Sequence, residues 1–458
     1  SPGEKAPSGL PTEDPAIERL HPMLAPVIEQ GPFAPSWASL IEHPLPRWFK
    51  DSKVGISAHW GPYAVPGWTP RKDSPYGVAY AEWYWQWMQS NEAVKEHHSR
   101  VYGGVPYDAF IDGTANLETG ATEAFDAADF DADAWMELFE RAGAKYFFIT
   151  AKHHDGFCLF DSAYTGRDAV DCGPKRDLYG ELVAAARKRG IRVGLYYSFY
   201  EWFNPAYTGR PGAAPYKGFQ PLEDRDLDGD PAEYVDDFMI PQIKELIDRY
   251  HPDSLCFDGE WEHGYPHWRG RQIIAYYYNQ AAERGQQVAV NDRFGQAKEG
   301  VSDTRGVYGD FYHVEYHADI DRTKPWAMWR GFGNSYGYNR NEHEDNILTT
   351  AQLFADRMEF SQDPAVAKTV PKLLGSISRA VNLCESTLAF GRAEEPPPRL
   401  NHVPVEAIID DVFDSERLAV GDIEVTFHQT LPVGMVVRAD GEQLYRVLSN
   451  LVRNARQA

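Results

Sequence analysis

Seven short apolar runs, separated by stretches of amphipathic helical composition, set the limits on what this chain can fold into. The runs are Val54–Ala58, Tyr146–Thr150, Arg192–Tyr197, Ser254–Phe257, Gln287–Val290, His313–Tyr316 and Ala327–Trp329. Helices are expected between them at Ala132–Ala142, Leu178–Arg189, Tyr234–Tyr250 and Gly270–Glu283. Asp131 or Asp133 can cap the first helix, and Gly143 and Gly190 stand where two of them should stop. Strands alternating with helices of this length favour parallel pairing, so the expected fold is α/β: a (β/α)8-type TIM barrel lacking its last strand. In such a barrel the chemistry collects where strands end, at the C-terminal rim.

The segment Lys152–Tyr200 gives the clearest view of that rim. The run Tyr146–Thr150 ends in Lys152-His153-His154-Asp155-Gly156, and the next run ends in Tyr196-Tyr197-Ser198. A His-His pair at a strand end points to a polar, oxygen-rich ligand. Neutral imidazoles both donate to and accept from hydroxyls. A zinc site is the rival reading for His59, His153 and His154, although no HxH or HExxH spacing appears.

Composition narrows the ligand class. The formal net charge is −23, which opposes binding to nucleic acid or an anionic membrane, because phosphate contact requires a basic surface. Aromatic residues make up 14% of the chain, compatible with large cores or with stacking on sugar rings. Cys158, Cys172, Cys256 and Cys384 are widely spaced and read as core thiols. No apolar run is long enough for a membrane span. The Pro-rich residues 1–45 read as an extension wrapping the surface and carry no signal-peptide pattern. A chain starting without Met can have been trimmed, so periplasmic, extracellular and cytoplasmic locations all stay open. A homo-oligomer is compatible with the sequence.

Two carboxylates stand at strand ends. Asp258 follows the run Ser254–Phe257 and precedes Gly259-Glu260-Trp261, which makes it a candidate nucleophile or base, or a helix cap. Glu315 lies in Asp310-Phe311-Tyr312-His313-Val314-Glu315-Tyr316, a candidate general acid or an ion-paired rim carboxylate. Glycoside hydrolysis needs such a pair, one member ionised and the other holding a proton. Tyr312 and Tyr316 are expected to raise the acid's pKa by desolvation. Arg293 can donate in fixed geometry to hydroxyls or to a carboxylate, or pair with a neighbour such as Asp292.

The segments HWGPYAVPGW, AEWYWQWM, KHHDGFCLFDS, PKRDL, GLYYS, FDGEW, NDRFG, DFYHVEYH and GFGNSYGYNRNE together resemble the glycoside hydrolase family 29 α-L-fucosidases, over about residues 40–345. The resemblance implies a retaining exo-acting hydrolase acting on terminal α-L-fucose of an oligosaccharide or glycoconjugate, without a cofactor or metal. It implies Asp258 as nucleophile and Glu315 as acid/base. It also implies a fucose pocket lined by His59, Glu82, Trp83, His153, His154, Tyr197 and Arg293. A glycan-binding or scaffold protein with an impaired site is the alternative.

Beyond residue 345 the character changes. Residues 346–395 read as a helical hairpin and residues 396–458 as a truncated α/β ATPase-like fragment; together they resemble a sensor histidine kinase core. The expected elements are short strands at Ile423–Phe427 and Met435–Val437 and a last helix Glu442–Ala455, with Asn450 and Asn454 at the positions of the kinase N-box. His343-Glu344 resembles the start of a kinase H-box, but no glycine-rich loop follows the N-box to cradle phosphates. A fused reading frame is the expected origin of this combination.

Overall fold

The computed structural model describes residues 19–72, 79–208, 231–295, 309–315, 325–343, 347, 400–420 and 426–457. The chain divides into two compact units, Ser1–Ile347 and Leu348–Ala458.

Every apolar run expected to be a strand in the first unit is one. They are β1 (Gly55–Ala58), β2 (Tyr146–Lys152), β3 (Arg192–Ser198), β4 (Ser254–Asp258), β5 (Ala289–Val290), β6 (Tyr312–Glu315) and β7 (Trp326–Trp329). β1 to β5 form one parallel sheet in chain order, and β6 pairs with β7, also parallel. Isolated parallel bridges continue the order: Asn291 with Phe311, just before β6, and His59, just after β1, with Gly337. Residues 348–399, where an eighth strand and the expected helical hairpin would fall, lie outside the described residues.

The expected helices appear as α1 (Ala132–Arg141), α2 (Leu178–Lys188), α3 (Ile240–Tyr250) and α4 (Gly270–Glu283). A π-helical segment, Val235–Met239, leads into α3, so the expected Tyr234–Tyr250 helix is helical throughout but not uniformly α. Asp131 caps α1 by accepting from the Ala134 N–H, and Asp177 caps α2 through Gly180.

Period-two alternation along the strands separates two interiors. Phe147, Ile149, Val193, Leu195, Tyr197, Leu255 and Phe257 face the helices and join the main core. Phe148, Tyr196, Cys256 and Trp329 form a second cluster on the opposite face of the sheet. Gly194 makes room there, since a Cβ at that position would meet the Phe148 ring at 2.3 Å. At the other end of the strands the short helix Arg47–Asp51 stacks Phe49 on Phe311, ring centroids 4.3 Å apart, and closes the floor.

Residues 19–45 do more than wrap the surface. Leu24, Ile28, Trp37 and Leu40 are buried in the main core. Asn279 of α4 accepts from the Phe33 N–H and donates to the Phe33 carbonyl, both at 2.8 Å. Residues 19–45 are therefore part of the main core's packing as well as a surface wrap. Cys158 and Cys256 are buried free thiols and Cys172 is half-buried; Cys384 lies outside the described residues. Among the described residues no helix is long and apolar enough to cross a membrane.

In the second unit, β8 (Asn401–Pro404) pairs antiparallel with β9 (Val436–Ala439), and two helices follow them, α5 (Val405–Val420) and α6 (Gly441–Gln457). β9 and α6 match the expected Met435–Val437 strand and final helix. Of the expected strand Ile423–Phe427 only Thr426 and Phe427 are described; they are not in a strand, and Phe427 stacks on Phe413 of α5.

One buried ion pair ties the rim to the helical layer. Lys152 at the end of β2 and Glu201 after β3 are 0% and 1% exposed, with Nζ and Oε2 2.5 Å apart. Lys152 also donates to the Tyr234 hydroxyl at 3.0 Å, and Glu201 accepts from the Phe203 N–H. Removing one partner strands the other charge in the core. Lys152→Met is therefore expected to lower the unfolding free energy by about 3–5 kcal/mol, measured by urea denaturation. The double variant Lys152→Met/Glu201→Leu is expected to recover most of that loss. A double variant no more stable than Lys152→Met would contradict this account.

Candidate functional site

The C-terminal ends of β1 to β6 bring their polar residues into one cluster. Asp258 closes β4 with the same inward parity as Cys256, and Tyr196 on the neighbouring strand points inward with it. The Tyr196 hydroxyl donates to Asp258 Oδ2 at 2.5 Å. The Gly259 N–H donates to Oδ1 at 2.8 Å, and Arg293 Nη2 lies 2.6 Å from the same oxygen. Gly259 adopts φ +74°, and a Cβ there would come within 2.6 Å of the Tyr200 backbone nitrogen, so the turn that aims Asp258 requires glycine.

Arg293 faces three carboxylates. Besides Asp258, its Nε donates to both oxygens of Glu260 at 3.1 Å, and its Nη1 lies 2.5 Å from Glu315 Oε1. His313, two residues before Glu315 on the same face of β6, brings Nε2 to 3.4 Å from the same Glu315 oxygen. Val314, between His313 and Glu315, is buried.

Protonation follows from this geometry. Burial raises the pKa of Asp258, but Arg293, His154 and the Tyr196 hydroxyl outweigh it and hold the group well below the usual carboxylate range. Glu315 is also lowered: burial opposes ionisation, and Arg293 and His313 overcome it. This reverses the expectation that Tyr312 and Tyr316 would raise the Glu315 pKa. The guanidinium contact decides the sign, and Tyr316 lies outside the described residues. Glu260, buried deepest of the three, is raised by burial against the pull of Arg293.

The histidines lie against this cluster. His59 stands edge-on to His153, with centroids 5.1 Å apart, edge-on to Tyr196, and stacked on Tyr336. His154 accepts from or donates to Ser198 Oγ through Nδ1 at 2.5 Å. Burial lowers His59 to about 4, against the opposing pull of Asp258 and Glu315. Burial also lowers His154 to about 3 and His153 well below its ordinary value. All three are neutral near pH 7. The Nδ1 atoms of His59 and His153 are buried without a hydrogen-bond partner among the described residues. Among those residues no group of three or more His, Cys, Asp or Glu side chains can hold a metal ion, so the rival zinc reading finds no geometry here.

Glu82 and Trp83 reach the site from a single 3-10 turn, Ala81–Trp83. Glu82 accepts from the Tyr336 N–H at 3.3 Å and the Gly337 N–H at 3.1 Å, the same backbone that bridges to His59. Burial raises its pKa to about 7. Trp83 lies 5.2 Å from the His154 ring and 5.3 Å from Trp202.

Tyr197 is the one expected pocket residue that the structure places elsewhere. It faces the helical layer, fully buried, and donates to Gln242 of α3 at 2.7 Å. Its neighbour Tyr196 takes the place expected for it, because adjacent strand residues point to opposite faces. Period-two parity with Cys256 and Asp258 was the signal for this. Sequence reasoning also missed Glu260, His313 and Tyr336.

The sequence profile of the family described as Alpha-L-fucosidase matches residues 23–358, beyond both ends of the stretch recognised by motif. The rat tissue alpha-L-fucosidase is 34% identical over 331 residues, covering 71% of this chain and 63% of the relative. The alpha-L-fucosidase of Dictyostelium discoideum is 30% identical over 341 residues, covering 72% and 65%. This chain thus spans slightly less than two thirds of the length of these curated relatives. Among solved structures, the Thermotoga maritima alpha-fucosidase in complex with fucose is 37% identical, covers 71% of this chain and 68% of its own, and superposes with a TM-score of 0.54. The profile match over most of the chain, on an α/β fold whose parallel strands gather these residues at their C-terminal ends, places the chain in the alpha-L-fucosidase family.

Proposed function

We propose that the barrel unit hydrolyses terminal α-L-fucosides by a retaining double displacement. The observation that carries this reading is Asp258: a largely enclosed carboxylate kept ionised at a strand end, with one oxygen gripped by Tyr196 and the other by Arg293 and the Gly259 N–H. An ionised, oriented carboxylate is what attack on an anomeric carbon requires. The substrate class rests on the relatives, whose names specify α-L-fucose.

In this reading Asp258 forms the covalent fucosyl-enzyme as Glu315 gives its proton to the leaving oxygen. Glu315 then takes a proton from the water that releases fucose. The Arg293 contact keeps Glu315 ionised before substrate arrives, so Glu315 must gain a proton as the complex forms. The neutral imidazoles of His59, His153 and His154 read ring hydroxyls, and the two unpartnered Nδ1 atoms support that role. Glu82 accepts from a hydroxyl, and Trp83 packs on the sugar's apolar face. Arg293 acts on the carboxylates rather than on the sugar. Tyr196, not Tyr197, belongs to the site. The scaffold alternative gains no support, since both carboxylates stand at the rim. The order strand, helix, strand, helix in residues 401–457 supports reading that part as a separate α/β fragment of kinase ATPase type.

Replacing Asp258 with Ala is expected to lower kcat on 4-nitrophenyl α-L-fucoside at least ~100-fold, with the fold intact by circular dichroism. Equal rates in wild type and variant would exclude Asp258 as nucleophile.

The Glu82 assignment has its own pH signature. Its pKa is raised from 4.5 to about 7 in the folded state, so its contribution to stability is fully present below about 4.5 and lost as the pH rises through 7. Glu82→Gln removes that loss. The melting temperature of the variant relative to wild type is expected to rise between about pH 5 and pH 8. A difference independent of pH would contradict a buried, proton-binding Glu82.

A further inference from the structure

Arg293 carries one positive charge and faces three carboxylates, of which the double displacement uses two. The third, Glu260, is 3% exposed and holds the Nε edge of the guanidinium through both oxygens at 3.1 Å. Its backbone is fixed as well, because its carbonyl accepts from the Trp268 indole at 3.1 Å. Glu260 is therefore held rigidly against the Nε edge of the guanidinium, on the side away from Glu315's contact with Nη1.

We propose that Glu260 is a positioning residue: by holding the Nε edge of Arg293 it shares the guanidinium charge and keeps Arg293 from pairing exclusively with Glu315, so that Glu315 can take up the proton it must deliver. The inference rests on the glycosidase reading above.

The three carboxylates compete for one guanidinium. Arg293 Nη1 reaches Glu315 at 2.5 Å, and a guanidinium fully committed to that carboxylate would hold it ionised and useless as an acid. Glu260 and Asp258 divide the same charge. Glu260 forms no bond to the sugar in the double displacement and keeps its two contacts to Arg293, whereas Asp258 loses its charge on becoming an ester. Arg293 thus keeps an anionic partner in the covalent intermediate, when Glu315 must act as a base. The titratable and charged groups around Glu315 among the described residues are Arg293, His313, Asp258, His59, Glu82 and Cys256. The three imidazole and thiol groups nearest it are neutral near pH 7, so the distribution of Arg293 among carboxylates dominates.

The test uses Glu260→Gln, which keeps shape and a hydrogen-bond acceptor but removes the charge, on two substrates. A 2-chloro-4-nitrophenyl α-L-fucoside has a leaving group that needs little protonation; an α-L-fucosyl disaccharide needs it fully. With acid help worth ~10²–10⁴-fold, kcat/KM on the disaccharide is expected to fall at least ~50-fold and on the aryl fucoside only about threefold. The alkaline limb of the disaccharide profile is expected to move to lower pH, because Arg293 then favours the Glu315 carboxylate. Glu260→Asp, which restores the charge with a shorter reach, is expected to recover part of the disaccharide rate. Equal losses on both substrates with an unmoved alkaline limb would show a merely structural role and overturn the inference, leaving the hydrolase reading intact. A folded wild type without turnover on either substrate would overturn both.

Discussion

The site is organised around one guanidinium among three carboxylates. Arg293 meets Asp258, Glu260 and Glu315 within 3.1 Å, in a cluster where the nearby imidazoles are uncharged. Three carboxylates this close together, one of them fully buried, would stay protonated or disrupt the fold without a cation among them. Unit charges ~4 Å apart attract by about 4 kcal/mol at the effective dielectric of a protein's outer layers, enough to overcome much of the cost of burial. This is why Asp258 stays ionised at its strand end, and why Glu315 is ionised as well before any ligand binds.

The parallel strands make that cluster possible by parity. Residues at successive strand ends face inward only in every second position, so β3 contributes Tyr196, β4 contributes Asp258 and β6 contributes His313 and Glu315. The opposite face of the same strands packs on the helices, where Tyr197 meets Gln242 and Lys152 meets Glu201. The segment after β7 completes the rim: its Tyr336–Gly337 backbone holds Glu82 and bridges to His59. The pocket histidines are thereby buried on several sides, which keeps them neutral and suits them to hydroxyls rather than to proton transfer.

Much of this was legible in the chain. The seven strands follow from short apolar runs, the helices from their amphipathic spacing, and Asp258 from its place directly after SLCF. Motifs pointed to His59, His153 and His154 at the rim, and the structure gathers them there. Tyr197 was misplaced because two adjacent tyrosines end one strand and only registry with β4 says which faces inward. The pKa direction of Glu315 was misread because Arg293 lies 22 residues away in sequence and its contact exists only in three dimensions. Glu260 appeared merely as part of a motif for the same reason. In the second unit, β8 and α5 went unread: a strand ending in Pro404 and running directly into a helix leaves no polar break to mark the boundary.

The most direct measurement of the central claim is covalent trapping. Incubation with 2-deoxy-2-fluoro-α-L-fucosyl fluoride should slow the second displacement more than the first, so that a fluorofucosyl-enzyme accumulates. Intact mass followed by peptide mapping is expected to find one label per chain, on Asp258. A label on Glu260 or Glu315, or sustained turnover without any labelled intermediate, would contradict the assignment of the Arg293-held Asp258 as the nucleophile.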